Sequence, residues 1–129
     1  MGEIRIGQIS SVDKAKGMAK VIYNDLDGAV TKMLPLFSFN GEYKAPEVGQ
    51  YVLVVHLSNG TEAGYIMGSY WNEARPPAAP EATWRKELGT KNGEAFLQYD
   101  GGTLQINAGS IQFVTKAGTI TLAEIISRL

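Results

Sequence analysis

The chain has 129 residues, about the size of one domain or two very small ones. Twelve Lys and Arg face thirteen Asp and Glu, a net charge of −1, so nothing points to a protein that grips nucleic acid through its phosphates. Cysteine is absent and His56 is the single histidine, which excludes disulfide scaffolds, thiolate zinc sites, thiol nucleophiles and multi-histidine metal clusters. No apolar run approaches the roughly 20 residues that span a bilayer. The start, MGEIRIGQ, reads as a strand rather than as a secretory signal or a lipidation site.

Residues 1 to 72 read as a first domain of short strands. Glu3-Ile4-Arg5-Ile6 alternates polar and apolar. Asp13 to Gly17 is a turn, and Ala19, Val21 and Tyr23 share one strand face. Asp27-Gly28 suits a tight hairpin, because both residues tolerate positive φ. A third strand is expected from Val30 to about Phe37, then a loop from Ser38 to Gln50. Tyr51 to Leu57 is a continuous apolar run, expected to be buried on both faces. Asn59-Gly60 makes a second hairpin turn, and the fifth strand runs from Glu62 to about Trp71 with Gly64 and Gly68 inside it, where glycine permits curvature or close backbone approach. Five short, curved strands predict a small closed barrel of the OB type.

Residues 73 to 92 read as a connector. Arg75-Pro76-Pro77-Ala78-Ala79-Pro80 forms neither a helix interior nor a central strand, and Trp84 is expected to dock on the barrel or on a neighbouring subunit. Residues 93 to 120 then repeat: GEAFLQYD, GGTLQINA and GSIQFVTK, with AGTITLAE closing the series. Glycine returns about every eight residues. Leu97 and Tyr99, Leu104 and Ile106, Ile111 and Phe113, and Ile120 and Leu122 lie on one side of their strands. Gln98, Gln105, Gln112 and Thr121 stand between them, with Thr103, Ser110 and Thr119 on the same polar side.

This dry face has no partner in its own chain. The barrel needs its own core, and no long amphipathic helix is available as a lid. Burying one Leu, Ile or Phe contributes roughly 1.5–3 kcal/mol, so leaving about eight of them wet forfeits something like 10–20 kcal/mol. The face must therefore meet copies of itself, although the sequence does not fix their number. In residues 121 to 129, Thr121 and Glu124 fit a capping box, and Leu122, Ile125, Ile126 and Leu129 share a helical face. Two turns do not stand alone in water, which predicts a small helical plug made with symmetry mates.

Two stretches carry a family resemblance. Pro46-Glu47-Val48-Gly49-Gln50-Tyr51-Val52-Leu53-Val54 resembles a strand of the OB domain of phage baseplate assembly protein V. Gly64-Tyr65-Ile66-Met67-Gly68-Ser69-Tyr70-Trp71-Asn72-Glu73, with Pro76-Pro77 after it, is similar to that family's Gly-x-x-x-Gly-x-x-x-Asn strand and proline exit. Gly7-Gln8-Ile9 and Asp25 to Gly28 fit its opening strands. Type VI secretion spikes and the central spikes of contractile phage tails share the plan. The resemblance implies an all-β homotrimer: an OB collar on the tail hub, then an intertwined β-helix or β-prism spike and a short C-terminal helix. Its implied partners are itself, a hub protein at the OB end, a separate tip protein at the C-terminal end and, transiently, the target membrane; its implied place is the virion's tail baseplate. Two departures stand out. The His-x-His apex that binds iron in many relatives is missing, so neither cofactor nor metal is expected, and the connector is too short for an inserted lysozyme domain.

Enzymatic readings are weaker. Asp25 and Asp27 fall at a turn, His56 lies in a strand without a nucleophile near it in sequence, and Gly101-Gly102 lacks the Lys-Ser/Thr of a phosphate loop. The expectation is a structural spike that is driven at the cell envelope. A nucleic-acid-binding OB module with an oligomerising tail is the rival class; Tyr23, Phe37, Phe39, Tyr43 and Trp71 would supply its base-stacking rings.

Overall fold

The computed structural model describes residues 3–57 and 63–129. The chain is all-β apart from a 3₁₀ turn and one short C-terminal helix, and it divides into two units, Met1–Pro76 and Pro77–Leu129.

In the first unit, β1 (Glu3–Asp13) and β2 (Met18–Tyr23) form an antiparallel hairpin with a register shift between Ile9 and Ser11. β1 also pairs with β5 (Tyr51–His56), which pairs in turn with β6 (Gly64–Ser69). On its other side β2 pairs with β3 (Ala29–Val30) and with β4 (Leu34–Pro35). Just after β4, Leu36 bridges Ile66 of β6 in parallel, and the Phe37 amide donates to the Ile66 carbonyl at 2.9 Å. The pairings thus return on themselves, β1–β2–β4–β6–β5–β1. Closure removes most free edges and creates an inside. That inside is filled by Ile9, Ala19, Val21, Tyr23, Leu34, Val52, Val54 and Ile66, with Val12 and Leu36 against them.

Several sequence expectations change here. The strand expected over residues 30 to 37 is broken into β3 and β4. Thr31 interrupts it, its hydroxyl accepting from the Val21 amide at 3.0 Å, and Pro35 has no N–H to extend a ladder. Asp27 and Gly28 do adopt positive φ (56° and 74°), but they close a five-residue loop containing the 3₁₀ turn Asn24–Leu26 rather than a tight hairpin. The run from Tyr51 to Leu57 is not buried on both faces. Val52, Val54 and His56 point into the ring, while Tyr51, Leu53 and Leu57 are exposed, because in the wall of a closed ring every second residue faces out. Asn59-Gly60 and Glu62 lie outside the described residues. Gly64 is a true close approach: a Cβ there would lie 2.4 Å from the Val55 carbonyl oxygen.

The second unit holds two small sheets. β7 (Trp84–Glu87), β8 (Phe96–Asp100) and β9 (Thr103–Asn107) form one, in that order and antiparallel. β10 (Gln112–Thr115) and β11 (Gly118–Thr121) form a hairpin, and α1 (Leu122–Ser127) follows. The four repeats therefore do not make one ribbon. The connector expected over residues 73 to 92 is a connector only as far as the prolines, since β7 lies within it and Trp84 pairs with Tyr99 in the sheet. Beta pairing to β8 recruits Trp-Arg-Lys-Glu, a segment with no apolar alternation of its own.

Candidate assembly surface

The register of the three-stranded sheet sorts its side chains into two faces. Trp84, Tyr99 and Leu104 lie in one cross-strand row, and Lys86, Leu97 and Ile106 in the next on the same face. The opposite face carries a polar chain. The Arg85 guanidinium donates to the Gln98 side-chain oxygen at 2.8 Å, and the Gln98 amide donates to that of Gln105 at 3.1 Å. Arg85 also lies over the Phe96 ring at 3.6 Å and donates to Glu87 at 2.6 Å. The other Glu87 oxygen accepts from the Gly93 amide at 2.6 Å. These bonds fix the sheet from its wet side and leave the dry side to other contacts.

That dry side is open to solvent within the single chain. Leu104 is 63% and Ile106 57% exposed, and Trp84 and Tyr99 are exposed as well. Among the described residues, the second unit buries only one side chain, Glu87, and not one hydrophobic residue. Every member of the apolar core belongs to the first unit.

In the β10–β11 hairpin Phe113 sits opposite Ile120, and below it the Leu122 amide donates to the Ile111 carbonyl at 2.8 Å. Phe113 is exposed, while Ile111, Ile120 and Leu122 are half-buried. Val114 opposes Thr119 on the other face of the hairpin and is 68% exposed. Sequence reading missed it by treating that face as wholly polar; its place between Gln112 and Lys116 was the available signal. The capping box is formed as expected: the Glu124 amide donates to the Thr121 hydroxyl at 3.1 Å, and the Thr121 amide to the Glu124 carboxylate at 3.2 Å. α1 leaves Ile125 half-buried, and Leu129, beyond the helix, is 99% exposed.

The free edges of this unit are unguarded. The β8–β9 turn is Gly101-Gly102, both at positive φ (57° and 83°), a two-residue turn of the kind that closes on a hydrogen-bonded pair, here Asp100 and Thr103. The ladder then alternates, so Leu104 and Ile106 direct their main-chain groups away from β8. Folded proteins protect such edges with Lys, Pro or a bulge. β9, β10 and β11 contain no charged residue and no proline, whereas β7 carries Arg85, Lys86 and Glu87.

In the first unit the structure brings the two motif stretches together. Glu47 to Tyr51, Tyr70, Asn72, Ala74 and Arg75 line a cleft of about 260 Å³. Pro46 is half-buried at its entrance loop and Val48 is exposed. The Gly49 amide donates to the Ile9 carbonyl at 2.7 Å, and its carbonyl accepts from Gln8 at 3.1 Å. The Asn72 side-chain oxygen accepts from the Ala74 and Arg75 amides at 2.9 and 3.0 Å, and Arg75 meets Glu47 at 3.2 Å. Gly64 stands at the close approach, and Gly68 (φ 132°) lies beside the β5–β6 register shift. These positions hold loops to the ring; their polar groups are satisfied by one another.

The chemistry of acids and bases is similarly absorbed. Asp25 accepts from Arg5 at 3.0 Å. His56 is 2% exposed and hydrogen-bonds the Tyr23 hydroxyl and the Ala63 carbonyl. Burial pushes the Tyr23 hydroxyl up to about 12, against the opposing pull of Arg5. Among the described residues no three His, Asp or Glu side chains gather as a metal site, and no helix is long and apolar enough to cross a membrane. No protein-family model matches the chain, and none of the curated proteins matches it.

Proposed function

We propose that this protein is a structural, self-assembling spike: a homotrimer in which the first unit is an OB-type collar and the second interlocks with its copies into a stiff shaft, at the centre of a contractile phage baseplate or a related injection device. The observation that carries the self-assembly is the second unit's lack of any buried hydrophobic residue beside a continuous exposed face of Trp84, Tyr99, Leu97, Leu104 and Ile106. A sheet of this size without a covered apolar face is marginal in water. Identical neighbours are the occupant that the chain itself supplies, and the uncharged edges of β9 to β11 suit main-chain pairing between them.

The phage assignment rests on less. The closed order β1–β2–β4–β6–β5, with the parallel contact between Leu36 and Ile66, matches OB topology and supports the collar reading. The clustering of the Pro46–Tyr51 and Tyr70–Arg75 stretches supports the motif resemblance. In this reading the collar docks on a hub protein, a tip protein caps the far end, and the work is mechanical, performed at the target envelope without a cofactor.

The test is the mass of the intact assembly at micromolar concentration, by native mass spectrometry and sedimentation. Three times 14.0 kDa is expected. A well-folded species of 14.0 kDa would overturn the self-assembly, and tight, salt-sensitive binding of a single-stranded oligonucleotide would move the assignment to a nucleic-acid module.

A further inference from the structure

The first unit contains one buried titratable pair that the assembly reading does not use. Tyr23 is the last residue of β2, His56 the last of β5, and Ala63 precedes the first residue of β6. All three strand ends meet at the imidazole. A carbonyl only accepts, so the bond between Nδ1 and the Ala63 carbonyl, at 3.3 Å, requires the proton on Nδ1. Nε2 is then the acceptor, and the Tyr23 hydroxyl donates to it. The phenol is held in its protonated, donating form by burial. Both ring nitrogens are thus satisfied by one charge state, the neutral imidazole.

A second proton would fall on Nε2 and oppose the Tyr23 O–H. The phenol would have to turn and accept, leaving its own proton without the partner it now has, in a site where both residues are only 2% exposed. The charged groups around the pair do not offset this. From β1, Glu3 stands opposite His56 in register, but its carboxylate accepts from Arg5 at 3.1 Å. Arg5 itself lies 5.4 Å from the centre of the Tyr23 ring and adds a like charge. Asp25, in the 3₁₀ turn, is also engaged by Arg5 at 3.0 Å. Nor can the neighbouring chain relax inward, since even a methyl group on Gly64 would meet His56 Nδ1 at 3.1 Å.

We propose that the Tyr23–His56–Ala63 contact is an acid-sensitive latch: the neutral imidazole holds the ends of β2, β5 and β6 together, and uptake of a second proton releases them while the Asp13–Gly17 end of the ring stays closed. The latch is a property of the first unit alone and goes beyond the assembly reading.

The test is amide hydrogen exchange on the full chain between pH 7.5 and 5.0, read as protection factors so that the intrinsic pH dependence of exchange is removed. An imidazole in an unfolded segment takes its proton near pH 6.5, so a fold that refuses it loses stability by up to tenfold per unit below that. Protection of the β5 and β6 amides is expected to fall up to about thirtyfold by pH 5.0, with less than about threefold change around Val12 and Ala19. The His56→Gln variant should lose this slope. Because His56 is the single histidine, its ring proton resonance gives a second readout should that variant not fold. A wild-type resonance that titrates while the β6 amides keep their protection overturns the latch, and so does a change below about threefold at β6. Either result leaves the oligomer mass untouched, so the two proposals fail separately.

Discussion

Ile106→Asp separates packing between copies from folding within one. In the single chain Ile106 is 57% exposed at the edge strand β9, with its main chain directed outward, so a carboxylate there costs the isolated fold no more than a surface substitution, about 0.5 kcal/mol. In the assembly the same atoms are covered. The exposed share of the side chain contributes about 1 kcal/mol per copy when buried, and an unpaired buried carboxylate costs several kcal/mol more. Three copies around an axis multiply this to on the order of 12 kcal/mol or above. Even half of that changes the association constant by more than about ten-thousandfold, at 1.4 kcal/mol per tenfold. Sedimentation velocity at micromolar concentration should therefore show 14.0 kDa monomers, while far-ultraviolet circular dichroism retains the first unit's strand signal. Gln105→Ser, one residue away on the wet face, loses a solvent-exposed amide bond to Gln98 and should sediment like the wild type. If Ile106→Asp also sediments like the wild type, the dry face of the three-stranded sheet is not the contact between copies.

Further outcomes follow from the first unit and the helix. Gly64→Ala places a Cβ 2.4 Å from the Val55 carbonyl oxygen, a backbone atom that has little room to move; the urea midpoint should drop by the equivalent of about 2 kcal/mol or more, and an unchanged midpoint would refute the close approach. Because the folded Tyr23 hydroxyl lies above its unfolded value of about 10, the fold binds that proton more tightly than the unfolded chain does. The resulting stability is complete below pH 10 and is lost as pH rises to about 12, up to roughly 2–3 kcal/mol, measured by denaturant unfolding in wild type against Tyr23→Phe, which should lack the alkaline loss. Thr121→Ala removes the hydroxyl that accepts from the Glu124 amide and should raise exchange at that amide by about fivefold, the equivalent of about 1 kcal/mol for an N-cap, without altering β10–β11 pairing.

How much of this was legible in the sequence depends on whether the determining contact is local. The alternation through residues 96 to 106, the Gly101-Gly102 turn and the Thr121–Glu124 capping box need only neighbours within a few residues, and each is found where the pattern put it. The absence of a second core was also legible, because it is an inventory of side chains rather than a geometry. What the sequence could not decide were matters of long-range pairing. Trp84 to Glu87 has no apolar period and becomes a strand because β8 offers it an open edge. The run at Tyr51 to Leu57 looks wholly apolar, yet ring closure through Leu36 and Ile66 turns every second residue outward. Residues 30 to 37 read as one strand until Thr31 and Pro35 meet β2. The Tyr23–His56 pair, 33 residues apart in the chain, exists only because that same closure brings the ends of β2 and β5 to one point. Periodicity records which side of a strand is dry; only the closed ladder determines what stands on each side of it.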